Sequence, residues 1–409
     1  MSQAPGQGSM RPAQAGRRGE KVRSDLHVAF EPATAGGIQV DLESRVAAYY
    51  GRRIRRQVEE IVRQHGIDHA RLRVVDAGAL PFAIEARVRA ALVRAGAAPA
   101  PPPPVRHPPS GGGIDRLRRS RLYIPGSDPK LMTNAGLYGA DGIILDLEDS
   151  VHPDEKDAAR LLVAAALQYL DFGDAERMVR INQLPAGLED LDVVLPARPS
   201  LVLIPKVESA AEVREVDRRL TALDCPVEGD GAVWLMPIIE SARGLEAAAE
   251  IAAACGRVAA LTIGLEDYTA DLGVVKTPGG EESAWARSRL VQAARAAGCQ
   301  AIDSVYGDIA DLEGLERWGR RSRAMGFEGM GCIHPSQVPV VHRAFAPGPD
   351  EIERALRVVE AFEQARSSGR AVVALGSKMI DPPVVERALA LVERARRMGL
   401  LGGEEGRRR

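Results

Sequence analysis

The sequence predicts an α/β protein, a (β/α)8 barrel preceded by a small α+β domain. Between residues 114 and 345, apolar segments of strand length alternate eight times with helical patterns, as repeated βα units do. No G-x-G-x-x-G follows any of these segments, which argues against the doubly wound open sheet that the same alternation allows. Residues 95–113, AGAAPAPPPPVRHPPSGGG, separate the barrel from what precedes it, because so many prolines and glycines cannot build a core. The prolines stiffen that linker into an extended spacer and the glycines give it a flexible joint.

Residues 1–19 hold no apolar run and are expected to be disordered, with no secretory leader. The small domain then spans 20–94. DLHVAF and GIQVDL alternate like the two strands of a hairpin, with Gly36 and Gly37 in its turn. Val46, Tyr50, Ile54, Val58 and Ile61 recur at helical spacing, and Gly66 stops that helix. RLRVV reads as a third strand and LPFAIEARVRAALVRA as a closing helix. The basic run RRIRR at 52–56 falls on the polar face of the first helix, so it reads as a solvated or docking face and not as a nucleic-acid site.

The barrel strands are RLYIPG, GIILDLED, RMVRIN, LVLIPKVE, VWLMPIIE, ALTIGLED, QAIDSVYGD and GMGCIHP. EKDAARLLVAAALQYL and SAAEVREVDRRLTAL lie between them as helices, the second with Ser209 and Glu212 at capping-box spacing. A helical segment, 346–398, and a charged tail, 399–409, follow the barrel.

Composition narrows the function. The 409 residues are 45% hydrophobic and 27% charged, as in globular proteins, and the formal net charge of −2 marks no nucleic-acid or membrane partner. No apolar run nears the ~20 residues of a membrane helix. Cys225, Cys255, Cys299 and Cys332 form no C-x-x-C pair and read as reduced core thiols, so a cytoplasmic location is expected.

The informative feature is how the strands end. Asp146, Glu148 and Asp149, then Arg180, Lys206, Glu240, Glu266 with Asp267, Asp303 and His334 all stand at C-terminal strand edges, which a barrel gathers at one mouth. Glu240 and Asp267 can supply two oxygens to a hard cation such as Mg²⁺, or can cap the helices that follow them. Arg180 suits a substrate carboxylate as a two-point fork, with Lys206 as a second cation. Asp146, Glu148 and Asp149 either take part in the chemistry or pair with those cations. Lys206 has a rival role as a Schiff-base lysine, although its acidic neighbours fit a salt-bridged one better. His334, before Pro335, is either a loop-fixing residue or a base. A metal, carboxylates and an arginine together suit carbon–carbon chemistry beside a carbonyl.

RSRLYIPG, DGIILDLEDSV, VRIN, IPKVES, PIIES, IGLEDYTADLG, QAIDSVYGD, GMGCIHPSQ and GSKMIDPPV occur in the order found in the citrate lyase beta subunit family, which residues 118–398 resemble. That family sits in the HpcH/HpaI aldolase group and includes citryl, citramalyl and malyl thioester lyases. The resemblance implies a Mg²⁺-dependent barrel lyase with Glu240 and Asp267 as metal ligands. It implies Arg180 at the substrate; from their own place at the mouth, Lys206 and Asp149 are read as further substrate contacts and Glu148 as a carboxylate that could take the proton. It also implies that Asp381, in MID, is carried to a neighbouring subunit's site, so a homo-oligomer, trimer or hexamer, is expected.

GEKVRSDLHVAFEP, VDLESRVAAYYGRRIRRQVEEIV and VVDAGALPFAIEARVRAAL resemble the gamma subunit of citrate lyase, an acyl carrier protein, over residues 16–95. In that family a serine two residues before an aspartate carries a phosphoribosyl-dephospho-coenzyme A arm. Here Ser24 directly precedes Asp25 and Arg23 takes the serine's place, so either Ser24 bears the arm with a one-residue shift or the domain is unmodified. The reading is a citryl-carrier lyase that yields oxaloacetate and an acetyl thioester, with a citrate lyase alpha subunit, a transferase, as partner. The alternatives are a citramalyl- or malyl-coenzyme A lyase on free thioesters, and a non-catalytic carrier scaffold.

Overall fold

The computed structural model describes residues 10–107, 113–229, 231–367, 373–375 and 378–401. The small domain runs β1 (Ala13–Gly16), β2 (Leu26–Pro32), β3 (Ile38–Ser44), α1 (Ala47–Gln64), β4 (Ala70–Asp76) and α2 (Pro81–Arg94). Its sheet order is β1-β2-β4-β3.

Two expectations are corrected here. β2 and β3 do not form a hairpin: β4 lies between them, antiparallel to β2 and parallel to β3. The pattern explains why, since Ala70, Leu72 and Val74 of β4 are fully buried while β3 alternates between half-buried and exposed, as an edge strand does. The stretch 1–19 is not wholly disordered either. Ala13–Gly16 pairs antiparallel with β2, Ala13 opposite Phe30. Its small residues leave no hydrophobic alternation to read, and Gly16, at φ +87°, lies where a Cβ would strike the Leu26 carbonyl.

α2 is buried from Phe82 to Leu92, wedged between the small sheet and the barrel helix Lys156–Tyr169. That all-round burial explains its lack of a polar face. Within the interface Arg89 Nε donates to Glu85 Oε1 at 2.5 Å, and the Tyr169 hydroxyl donates to Glu85 Oε2 at 3.2 Å. The first part of the linker is also held. Arg89 donates to the carbonyls of Ala100 (3.0 Å) and Pro101 (2.9 Å), the Arg106 N–H donates to the Gln168 carbonyl (2.8 Å), and Arg177 Nη1 donates to the His107 carbonyl (2.6 Å). The expected free spacer is thus a strap laid on the barrel up to His107, and the glycine joint falls mostly outside the described residues.

The eight expected barrel strands are β5 (Ser120–Pro125), β6 (Gly142–Asp146), β7 (Glu176–Arg180), β8 (Leu201–Ile204), β9 (Trp234–Ile239), β10 (Ala260–Ile263), β11 (Gln300–Asp303) and β12 (Gly329–Cys332). They close into one parallel barrel in chain order. Alternate residues face inward, so Ile144, Met178, Leu203, Met236 and Ile302 fill the lumen while Leu122, Ile143 and Leu145 pack with the outer core. Near the N-terminal ends of the strands Arg118 forks onto Glu176, Nε to Oε2 at 2.7 Å and Nη2 to Oε1 at 2.8 Å, with both side chains fully buried. The Ser209 N–H donates to Glu212 Oε2 at 2.8 Å, starting the helix Ala210–Ala222 as its sequence predicts.

After the barrel, helices Pro349–Ser367 and Pro382–Arg397 pack through Ala355, Val358, Val385, Ala388 and Val392. Between them β13 (Val373–Leu375) and β14 (Lys378–Ile380) pair antiparallel. Among the described residues no helix is long and apolar enough to cross a membrane.

Candidate active site

A cavity of 440 Å³ opens at the C-terminal ends of the strands, lined among others by Tyr123, Asp146, Arg180, Glu240, Gly264 and Asp267. The strand ends therefore meet at one mouth.

Glu240 follows β9 and is 6% exposed, and its Oε2 has no hydrogen-bond partner among the described residues. Burial pushes its pKa up to about 8, the Glu148 and Asp267 carboxylates adding to the rise. It does not cap the next helix. Ser241 does that, its Oγ accepting from the Gly244 N–H at 3.1 Å. Gly264, at the end of β10, makes room for it, since a Cβ there would stand 2.7 Å from both Cγ and Oε1 of Glu240.

Asp267 stands exposed in the first turn of helix Leu265–Leu272 and lines the same cavity. Adjacent Glu266 pairs with Lys276 instead, fixing the loop. Two carboxylates, one carrying an orphaned buried oxygen, fit the donor set for a hard divalent cation that completes its shell with water and substrate. No cluster of three or more His, Cys, Asp or Glu with ligand geometry occurs among the described residues.

Arg180, at the end of β7, forks onto Asp146 of β6, Nε to Oδ1 at 2.6 Å and Nη2 to Oδ2 at 2.8 Å. Its Nη1 also lies 2.6 Å from Glu148 Oε2, out of line for a hydrogen bond, and 3.3 Å from Asp149 Oδ2. The guanidinium stands 5.2 Å from the Tyr123 ring centre. Although Asp146 is deeply buried, the Arg180 hydrogen bonds and charge hold its carboxyl below the usual carboxylate range. Lys206 Nζ donates to Glu148 Oε1 at 2.7 Å and reaches Asp149 Oδ1 at 3.5 Å. Desolvation works to lower the Lys206 pKa, yet the Glu148 hydrogen bond and the surrounding carboxylates raise it, the reverse of what a Schiff-base lysine needs. Burial pushes Glu148 up against the pull of Arg180 and Lys206.

Asp303 lines the cavity as expected, but its carboxylate is taken up in a buried network, receiving Arg287 Nη2 at 2.5 Å, Ser322 Oγ at 2.5 Å and Trp318 Nε1 at 3.1 Å. The remaining expected residues fall elsewhere. Exposed His334 holds its own loop through Ser336, Nδ1 to Oγ at 2.8 Å. Asp381 is the exposed N-cap of helix Pro382–Arg397 and does not line its own chain's cavity. In the small domain Ser24 is half-buried at φ +57°, its N–H donating to the Ala77 carbonyl, and Arg23 is exposed. Asp25, next to Ser24, receives Arg87 Nε and Nη2, both at 2.9 Å, and Arg87 Nη2 also donates to the Ser127 carbonyl beside the mouth.

Sequence reasoning missed Arg121, Tyr123, Thr262 and Gly264, all of which line the cavity. Alternation along β5 was the available signal, because Arg121 and Tyr123 share the inward face opposite to Leu122.

Comparison with known proteins agrees with the barrel and the small domain in front of it. Residues 119–335 match the family model described as HpcH/HpaI aldolase/citrate lyase. Residues 11–95 match the acyl carrier model described as malonate decarboxylase delta subunit. The citrate lyase subunit beta of Haemophilus influenzae is 40% identical over 285 residues, 69% of this chain and 98% of that protein. The mitochondrial citramalyl-CoA lyase of Mus musculus is 35% identical over 287 residues, 67% and 85%. The solved structure of CitE from Mycobacterium tuberculosis in complex with magnesium, acetoacetate and coenzyme A is 34% identical, with TM-score 0.57 over 68% of this chain and 98% of that one.

Proposed function

The chain belongs to the HpcH/HpaI aldolase/citrate lyase family and is a carbon–carbon lyase with an acyl-carrier-like domain fused in front; from that premise we propose that it cleaves a citryl thioester to oxaloacetate and an acetyl thioester with the help of Mg²⁺. The observation that carries this is the orphaned Glu240 carboxylate facing one cavity with Asp267 and the Arg180–Asp146 fork. The magnesium bound to the CitE relative supports the choice of metal.

Glu240 and Asp267 would hold the cation, which when bound polarises the carbonyl of the oxo-acid half. Arg180, fixed on two sides by Asp146, presents its charge to the carboxylate of that half without the entropy cost of ordering a free side chain. A carboxylate takes the proton of the citryl hydroxyl, the adjacent C–C bond breaks, and its electron pair passes to the thioester enolate. A returned proton completes the acetyl group. We assign the base role to Asp381 of a neighbouring copy, with Glu148, raised by burial and tethered to Lys206, shaping the charge of the mouth.

The acyl arm would sit on Ser24. The Asp25–Arg87–Ser127 chain, which links the residue after Ser24 to the segment following β5, supports an arm that feeds its own barrel. The Arg23 side chain, standing where the carrier family has its serine, favours a second reading in which free coenzyme A thioesters are cleaved, as the names of the citramalyl and malyl relatives indicate for them.

Two measurements test the proposal. Mg²⁺ calorimetry on the full chain should show binding that Glu240→Gln and Asp267→Asn each abolish. Unchanged binding in both variants would overturn the metal assignment. The intact mass of the chain from its native cell should show a phosphopantetheine-type adduct at Ser24. A bare serine there would move the substrate to free thioesters.

A further inference from the structure

Among the described residues five arginines are less than 2% exposed. Four of them hold a carboxylate, as Arg87 holds Asp25, Arg118 holds Glu176, Arg257 holds Asp217 and Arg287 holds Asp303. Arg121 is the exception. It points from β5 across the lumen, giving Nη1 to the Met236 sulfur at 2.9 Å, and Nη2 to Thr262 Oγ1 at 3.1 Å and to the Asp303 carbonyl at 3.3 Å. Its Nε finds no partner among the described residues. A buried guanidinium without an anion is costly, and a chain that only needed to fill this space would use an apolar residue like those around it, Ile144, Leu203 and Ile238.

Arg121 lines the floor of the same cavity that Glu240, Asp267 and Arg180 line. Of the cations at the mouth, Arg180 serves the first carboxylate and Lys206 is tied to Glu148, which leaves a second carboxylate without a partner there. We propose that Arg121 is the specificity anchor of this site, receiving a second carboxylate carried by the oxo-acid half of the substrate. The proposal rests on the lyase reading above and decides among its substrates. A citryl group leaves an oxo acid with two carboxylates, whereas citramalyl and malyl groups leave oxo acids with one. A lumen cation with an unused N–H favours the first and is left unpaired by the others. A site built to hydrogen-bond a charged group discriminates strongly against analogues that lack it.

The test uses oxaloacetate and pyruvate as probes, titrated calorimetrically into the full chain with Mg²⁺, alongside thermal unfolding. Arg121→Met is expected to weaken oxaloacetate binding by about 100-fold and pyruvate binding by less than about threefold, with Arg121→Lys recovering most of the loss. Cleavage should follow, kcat/KM falling for a citryl thioester and not for a citramalyl one. Equal losses for both oxo acids, or unchanged oxaloacetate affinity in a folded Arg121→Met protein, would overturn the anchor and leave Arg121 as a structural tie. A wild-type chain that binds neither oxo acid would instead overturn the lyase reading, and the anchor with it.

Discussion

Arg94, at the end of α2, closes a two-point fork on Asp157 at the start of the barrel helix, Nε to Oδ2 and Nη2 to Oδ1, both at 2.7 Å. The pair ties the small domain to the barrel. Burial works to raise the Asp157 pKa, but the hydrogen bonds and charge of Arg94 outweigh it and hold the carboxyl low. A carboxyl depressed in the folded form stabilises that form above its unfolded pKa of about 4, and the contribution fades as the pH falls further.

Acid should therefore weaken that tie. The Asp157 side chain is 46% exposed, so the pair is worth about 1 kcal/mol or less. Denaturant unfolding at falling pH should show the wild type losing that contribution in the acid range while the buried face of α2 keeps the domain docked. Asp157→Asn should start less stable at neutral pH and change less, and identical profiles would count against the pair.

The opposite end of the barrel carries a costlier pair. Arg118 is fully buried, and besides Glu176 its hydrogen-bond partners among the described residues are Gln300 Oε1, at 2.7 Å, and the carbonyls of Gly113 and Ile114. Glu176→Ala strands its charge and should destabilise the chain by about 3–5 kcal/mol. Replacing both partners with apolar residues of similar volume should cost less than either single change. Denaturant unfolding measures all three variants, and additive losses would refute the coupling.

How far the sequence showed this depends on what each feature needs. The barrel strands were legible because each is a short apolar run between helical patterns, and the charged strand ends were legible because barrel geometry sends them to one mouth. β1 was hidden because AQAG has no apolar alternation. The position of β4 was hidden because strand pairing in a small sheet is set by long-range packing that local alternation does not encode. That the Asp303 carboxylate is tied into a buried network was hidden because a sequence gives a strand end without the direction of its side chain, and its partners Arg287 and Ser322 come from two separate helices. Arg121 was passed over as one basic residue in a basic stretch, and only lumen packing shows that it lacks an anion.

Gly264 gives a prediction about space. Its missing Cβ is what lets the Glu240 carboxylate lie against the end of β10. Gly264 has φ −105°, so alanine is tolerated by the backbone and the clash falls on the carboxylate alone. Gly264→Ala should weaken Mg²⁺ binding by roughly tenfold or more, since a misplaced ligand loses most of its bond to a small octahedral cation. Calorimetry checks the binding and thermal unfolding checks the fold. Unaltered affinity would mean that Glu240 reaches the cation from another rotamer.

The role of Asp381 can be separated from that of its own barrel by mixing variants. The residue is exposed at a helix N-cap, on a helix pair whose apolar contacts are with each other. If it serves a neighbouring copy, Asp381→Asn and Glu240→Gln are each inactive, yet a hetero-oligomer of the two contains cavities with an intact metal site from one chain and an intact carboxylate from the next. Random assembly at equal ratio gives about a quarter of cavities both groups. Co-expressing the two variants should therefore restore about a quarter of wild-type kcat with unchanged KM. An Asp381→Asn chain that keeps its activity on its own would instead place the catalytic base within the cavity's own chain, where Glu148 is the carboxylate tethered at the mouth.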